Sequence, residues 1–246
     1  MQIFKVLTSA LLLTSTVTAF ADAGITLLSS GDVVAAQSEG DQRVLNRRSP
    51  IFTNDSITTG PDAKAQFRMK DGALFALSEN SEWLVEEYKF EDNDDDIVTL
   101  RLIKGGLRTI SGAVGKGDPT RYKLETPVGS IGIRGTHYEV KLLDDGGMVL
   151  GAYEGTIAVT TAAGEVELGE NARAAFAAVS ASGAVSLSDT PPAAMAPPSS
   201  ADLVEPGQAN RDLLLNATQG QGEPDPAQPE PEQDSELRVE FDDFVD

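Results

Sequence analysis

Only one histidine, His137, stands in the 246 residues, and there is no cysteine. Ser-His-Asp catalysis and any two-histidine metal site therefore hang on a single imidazole, and zinc would have to gather carboxylates around it. Alternation with Tyr138 and Val140 puts His137 on the opposite strand face, as an exposed strand histidine. Oxygen ligands are more plentiful. In Glu91-Asp92-Asn93-Asp94-Asp95-Asp96 the alternate oxygens of Asp92, Asp94 and Asp96 match the opening of a calcium loop. Ile97, however, stands where the EF-hand type needs glycine, and Ile103 where it needs a bidentate glutamate, so a charged hairpin loop is the better account. Gly129-Ser130-Ile131-Gly132-Ile133-Arg134-Gly135 has dinucleotide-like spacing but does not run into a helix. Gly112-Ala113-Val114-Gly115-Lys116-Gly117 lacks the Lys-Ser/Thr ending and the helix of a phosphate loop. Both read as turn or strand glycines. Paired carboxylates can hydrolyse sugars, yet no spacing here sets two of them across a cleft. The chain is therefore read as non-enzymatic, with no catalytic, cofactor-binding or metal-binding residue and no cofactor.

The elements that would position these residues are strands. Between Ile25 and Leu187 short apolar-alternating runs are separated by turn signals, with hardly any helical period. Ala65, Phe67 and Met69 alternate with Lys64, Gln66 and Arg68, then Asp71-Gly72 turns into Leu74-Phe75-Ala76-Leu77, which predicts a hairpin with a type I′ turn. Val98, Leu100 and Leu102, followed by Lys104-Gly105-Gly106 and Leu107, predict a second. Tyr122 and Leu124 face away from Arg121, Lys123 and Glu125. Asp144-Asp145-Gly146-Gly147, Glu154-Gly155 and Ala163-Gly164 each read as a turn into a further strand, and Asn171 to Val179 fits a short helix or a strand equally well. Regular spacing with Gly-rich turns suits a sandwich, a barrel or a short β-solenoid. One phase change stands out. Ile131 and Ile133 are apolar at odd positions, whereas Tyr138, Val140 and Leu142 are apolar at even ones, so keeping both sets on the core needs one extra residue. Gly135 is the candidate bulge.

Lys5, an apolar run from Val6 to Phe20 and the end Ala19-Phe20-Ala21 predict a secretory leader over residues 1–21, and its apolar core is shorter than the roughly 20 residues of a spanning helix. Without cysteine no disulfide can staple the chain, so a core must hold it. The formal charge is -20, with basic residues scattered apart from Arg43, Arg47 and Arg48, which makes nucleic acid and anionic membranes poor partners. From about Ser188 the composition turns to Pro, Ala, Ser, Gln and acids, predicting a disordered Pro-rich acidic tail over 188–246. Residues 202–246 hold thirteen acids against Arg211 and Arg238, a charge of -11. Asp202 to Asn216 reads as a transient helix. Leu237, Val239, Phe241 and Phe244 restore an apolar pattern that could contact a partner's sheet edge or groove, although a solvated, solubilising end is the plainer reading.

Several fragments in order carry a family resemblance. They are Gly31-Asp32-Val33, then Asp55-Ser56-Ile57-Thr58-Thr59-Gly60, Lys70-Asp71-Gly72 with Leu77, and Lys104-Gly105-Gly106-Leu107-Arg108. Thr126-Pro127 and Ile131-Gly132-Ile133-Arg134-Gly135-Thr136 follow, and Tyr153-Glu154-Gly155 with Ile157 and Val159 closes the series. Over Gly31 to Gly169 the chain resembles the FecR domain family. The resemblance implies an all-β FecR-type module over 25–187, twisted solenoid or sandwich-like, that works outside the cytoplasm. In the iron-transport regulators of that family the module receives a signal from an outer-membrane receptor. Those regulators also carry a sigma-factor-binding segment and a membrane helix, which a cleavable leader replaces here. The expectation is a soluble periplasmic or secreted protein that binds an envelope or outer-membrane protein, with a glycan or cell-wall ligand as the alternative. Thr126, Pro127, Gly132, Arg134, Gly135, Thr136, Glu154 and Gly155 are the family-motif positions, expected to hold the fold, with Arg134 paired to an acid such as Glu154 or Asp71.

Overall fold

A computed structural model describes residues 21–37 and 42–195. The chain divides into two units, 1–203 and 204–246, and all the described residues lie in the first. The expected leader and the contact residues Leu237, Val239, Phe241 and Phe244 lie outside the described residues.

Period-two burial sets the architecture. Strands β1 (Asp22–Ser30), β2 (Val33–Ala36), β3 (Arg43–Val44), β4 (Pro50–Phe52), β5 (Ser56–Thr59), β6 (Lys64–Met69), β7 (Leu74–Leu77), β8 (Glu82–Lys89), β9 (Ile97–Lys104) and β10 (Gly106–Ile110) come first. A short helix α1 (Ala113–Gly117) and a 3-10 turn (Pro119–Arg121) intervene. Then follow β11 (Tyr122–Thr126), β12 (Gly129–Leu142), β13 (Met148–Thr161), β14 (Gly164–Gly169), β15 (Phe176–Val179) and β16 (Val185–Ser188). All sixteen strands join one sheet, in the order β3-β2-β5-β8-β9-β11-β12-β10-β7-β6-β1-β4, with β13 on β12 and the β14 and β15-β16 branches on β13. The sheet curls into a half-barrel, so the all-β expectation holds.

Its concave face gathers the core. Trp83, Phe67 and Phe75 are fully buried, with ring centroids 5.7 Å and 5.0 Å from the indole to Phe67 and Phe75. Ile131 and Ile133 from one half of β12 and Tyr138 and Val140 from the other face this same core.

Several turn assignments change. The β6–β7 hairpin forms in the expected register, Phe67 opposite Phe75, but only Gly72 has a positive φ (+85°). Its N–H donates to the Met69 carbonyl at 3.0 Å, giving a type I turn with a bulge glycine in place of type I′. No hairpin joins β9 to β10: β9 pairs with β8 and β11, and β10 with β7 and β12, so Lys104-Gly105-Gly106 carries the chain around a corner to another part of the sheet. The Cβ of any residue at Gly105 would lie 2.5 Å from the Ser81 Cα, and close backbone passage explains that glycine. Glu154-Gly155 is no turn either, because β13 runs through it. Gly112 to Gly117 contains the helix α1, where turn or strand glycines were expected, and Asn171 to Val179 ends in strand β15. Met195, seven residues beyond Ser188, is buried against Val149 and Phe176.

The buried aspartates and core tyrosine hydroxyls are matched. The Asp55 carboxylate takes a fork from Arg43, with Nη1 at 2.8 Å, and accepts the Phe52 N–H at 2.7 Å, tying β3, β4 and β5 together. Asp71 accepts the Tyr88 hydroxyl and, at 3.0 Å, the Ala73 N–H. The Tyr122 and Tyr138 hydroxyls meet at 2.6 Å inside the core. Burial pushes the Tyr88, Tyr122 and Tyr138 phenols up, and the Asp71 charge adds to the rise at Tyr88 and Tyr122.

These phenols bind their protons more tightly folded than unfolded, where tyrosine titrates near about 10. Stability is therefore undiminished below that pH and falls as pH rises through the folded values, since the unfolded chain releases protons first. Ultraviolet titration should show no phenolate in the folded protein at pH 10, with Tyr88, Tyr122 and Tyr138 ionising only as the fold is lost. Reversible ionisation of these three near pH 10 with native circular dichroism would contradict the buried network.

Candidate functional site

Strand β12 serves two neighbours on one side. Its first part, Gly129 to Ile131, pairs with β11, and its second, His137 to Lys141, pairs with β10. The change falls at Gly135, where φ is +59° and the register against β13 slips between Arg134 and His137. This is the bulge that the phase change predicted. Strand β13 breaks at the facing position, Gly155, with φ +70°, and beyond it changes partner from β15 to β14. The two backbones touch: a Cβ on Gly155 would lie 2.2 Å from the Gly135 carbonyl oxygen. Gly169, at the end of β14, stacks on Gly155 in the same way, a Cβ there lying 2.2 Å from the Gly155 oxygen.

Threonines close the corner. Thr136 is buried. Its Oγ1 donates to the Thr156 carbonyl at 3.0 Å and accepts the Arg134 N–H at 3.2 Å, while its own N–H donates to the Ser111 Oγ at 2.9 Å. Thr126 closes the β11–β12 turn, accepting the Gly129 N–H at 3.1 Å with exposed Pro127 at the turn's tip. Gly132 is less constrained, its virtual Cβ meeting only the Ala158 oxygen at 4.0 Å.

Arg134 departs from its expected role as an internal anchor. It is exposed, and no ion pair to Glu154, Asp71 or another acid forms among the described residues. The bulge is the reason. Arg134 and Gly135 both point outward, so the guanidinium stays hydrated and requires no carboxylate, while Asp71 is already engaged with Tyr88. Exposed Lys116 of α1 stands beside it, its Cγ 4.0 Å from where a Gly135 Cβ would lie. The motif corner thus presents two cations on a closely packed backbone. Glu154 is exposed in the same region, opposite His137 in register.

A second polar group lies on the convex face. Arg108 of β10 and Glu139 of β12 form a largely buried ion pair, with Arg108 Nε at 3.1 Å, and the Tyr153 hydroxyl donates to Glu139 at 3.0 Å. Burial first, and then the Glu139 charge, push the Tyr153 phenol up to about 12. His137 is not the exposed histidine expected: it is half-buried, its ring 5.1 Å from that of Tyr153, which meets Phe176 edge-on at 5.7 Å. With its carboxylate taken by two donors, Glu139 is held as a structural group. The sequence did not reveal this set, because only register places Arg108 opposite Glu139.

The acidic loop serves its own turn. Asp96 is buried and accepts the Glu91 and Asn93 N–H groups at 2.7 Å and 3.1 Å. It borders an open cleft of about 350 Å³ between Phe90, Asp92, Val114, Asp118 and Arg121. Among the described residues no three His, Cys, Asp or Glu side chains are grouped to hold a metal ion.

Residues 55–158 match the family model described as FecR protein, and every motif position from Thr126 to Gly155 falls inside that range, while Gly31-Asp32-Val33 precedes it. Over those residues the chain is similar to the FecR family. No curated protein matches it. Two crystal structures of a candidate anti-sigma factor from Parabacteroides distasonis, at 1.65 Å and 2.50 Å, align at 17% and 18% identity, each with a TM-score of 0.43. Each alignment covers 53% of this chain and 57% of the solved one, so the chain spans little more than half the length of those proteins.

The corner geometry separates motif residues by consequence. Gly155→Ala forces a side chain against the Gly135 carbonyl at a left-handed φ and is expected to cost more than about 3 kcal/mol in urea unfolding. Arg134→Ala, an exposed site, should change stability by less than about 0.5 kcal/mol. A large loss for Arg134→Ala would restore the anchoring role.

Proposed function

We propose that this FecR-domain protein is a non-enzymatic extracytoplasmic interaction module that binds an envelope protein and relays or modulates a signal, with the Arg134–Lys116 corner as its contact. The FecR match supports a regulatory signalling role. The observation that carries the contact assignment is Arg134 itself: a cation inside the most family-like segment, exposed and without an acidic partner among the described residues. An exposed guanidinium beside a lysine, carried on closely packed backbones, offers a planar fork and a second cation to a partner carboxylate or carbonyl cluster. The reading takes residues 1–21 as a removed leader, 25–187 as the module and 188–246 as an acidic extension. Among the described residues no helix is long and apolar enough to cross a membrane.

The test is capture from envelope extracts by the immobilised full-length secreted form, beside a glycan array. Wild type should retain a specific membrane or envelope protein, and Arg134→Glu with Lys116→Glu should weaken retention at least about tenfold with an unchanged melting temperature. Glycan binding without any protein partner would overturn the proposal in favour of a cell-wall module.

A further inference from the structure

The open cleft beside the acidic loop has two kinds of lining. One part is apolar: half-buried Phe90 just past β8, Ala113 and buried Val114 of α1, and Gly117, where a Cβ would meet nothing within 4 Å. The other part is acidic, with Asp92 and Asp94 exposed on the loop between β8 and β9. Neither of these carboxylates has a hydrogen bond or ion pair among the described residues. Their neighbours are engaged: Asp95 lies 3.9 Å from the Lys89 Nζ, and Asp96 accepts the Glu91 and Asn93 N–H groups. Arg121, which also lines the cleft, is already neutralised, its Nε donating to Asp118 Oδ2 at 2.9 Å.

The two linings together select an occupant. A purely apolar group would desolvate Asp92 and Asp94 without compensation, and an anion would be repelled by them. A lysine or arginine side chain meets both demands, because its alkyl stem lies along apolar surface while its charged head stays hydrated beside carboxylates. The cleft volume of about 350 Å³ stands at the lower end of the roughly 300 to 1,000 Å³ of ligand sites, which suits one side chain.

The cleft also adjoins the corner. Lys116, next in sequence to Gly117, lies beside Gly135, so α1 carries the acidic cleft on one side and a cation of the corner on another. A helix with its side chains is about 10 Å across. An extended chain advances about 3.3 Å per residue, so an acid and a base three residues apart on one extended segment reach both.

We infer that the cleft is the second half of the partner contact: it takes a lysine or arginine side chain, stem on Phe90 and Val114 and head between Asp92 and Asp94, from a protein segment whose acid, three residues away, meets Arg134 and Lys116. This rests on the reading of that corner as a contact, and it narrows the partner to a segment with opposite charges at that spacing. The exposed acids make the attraction weaken as salt rises.

The test uses the full chain and two synthetic probes. Nα-acetyl-lysine amide is titrated at low salt and followed through the backbone amide NMR signals, with Nα-acetyl-norleucine amide, which has a stem without the charge, as the control. The lysine probe should give saturating shifts confined to residues 90–96 and 113–121, the norleucine probe none, and Asp92→Asn with Asp94→Asn should weaken the lysine probe by about tenfold. Asparagine suits this variant because it tolerates the left-handed φ of +59° at Asp92. Equal shifts with norleucine, no shift at the cleft, or shifts as large at Asp144 and Asp145 would overturn the inference; larger, saturating shifts with calcium chloride would overturn it in favour of a divalent-cation loop. The second probe, acetyl-Gly-Glu-Gly-Gly-Lys-Gly-amide, should bind about threefold more tightly than the first, a gain lost in Arg134→Glu with Lys116→Glu. A lysine probe that binds with no such gain counts against the corner and overturns the shared segment. Failure of the lysine probe, while the corner variant still loses partner capture, counts against the cleft alone.

Discussion

Three backbones in contact, at Gly135, Gly155 and Gly169, set what the rest of this module can do. Each of the first two sits where a long strand changes neighbours, β12 from β11 to β10 and β13 from β15 to β14. A strand can have only one partner on each side at any residue, so a sheet that branches must bend its shared strands and open a wedge between them. The bend occurs at both strands in one place because each glycine occupies the space that the other's side chain would fill. Thr136 then satisfies the backbone groups that the bulge releases, through Thr156 and the Arg134 N–H. Without the extra residue at Gly135, either Ile131 and Ile133 or Tyr138 and Val140 would face water and be lost from the core.

The same economy governs the acids. In a chain of charge -20 the three buried aspartates are each engaged locally: Asp55 by Arg43, Asp71 by Tyr88 and the Ala73 N–H, and Asp96 by the N–H groups of its own loop. A buried carboxylate that accepts several hydrogen bonds in this way has its desolvation offset within the fold. Glu139, locked by Arg108 and Tyr153, follows the same pattern on the other face. The buried acids thus tie strands and loops together.

How much of this was legible depended on whether a signal was local. The β6–β7 pairing and the bulge at Gly135 could be read because alternation and its slip lie in adjacent residues. The Gly105-Gly106 corner and the Glu154-Gly155 bulge were misread as turns for one reason: a positive-φ glycine after a charged residue looks alike in a hairpin, a corner and a bulge. Which it is depends on the strand that lies alongside. Arg108 and Glu139 are 31 positions apart, and neither local sequence announces the other. The convex-face cluster of Phe176 and Met195 was hidden in a stretch whose Pro and Ala content argued for a solvated tail.

The misjudgement of Arg134 has a more general cause. Strict alternation would place an arginine beside buried Ile133 on the outer face and the next residue inside, where a kinked strand could bend the guanidinium toward an acid. A bulge suspends alternation, leaving Arg134 and Gly135 outward together. The bulge that makes the motif necessary for folding therefore also frees its one cation from any folding role. Gly135, Thr136 and Gly155 are fixed by contacts within the chain, and nothing within the described chain fixes the charge at Arg134. Its exposure beside the packed Gly135–Gly155 corner is what makes it suited to being read by something outside it.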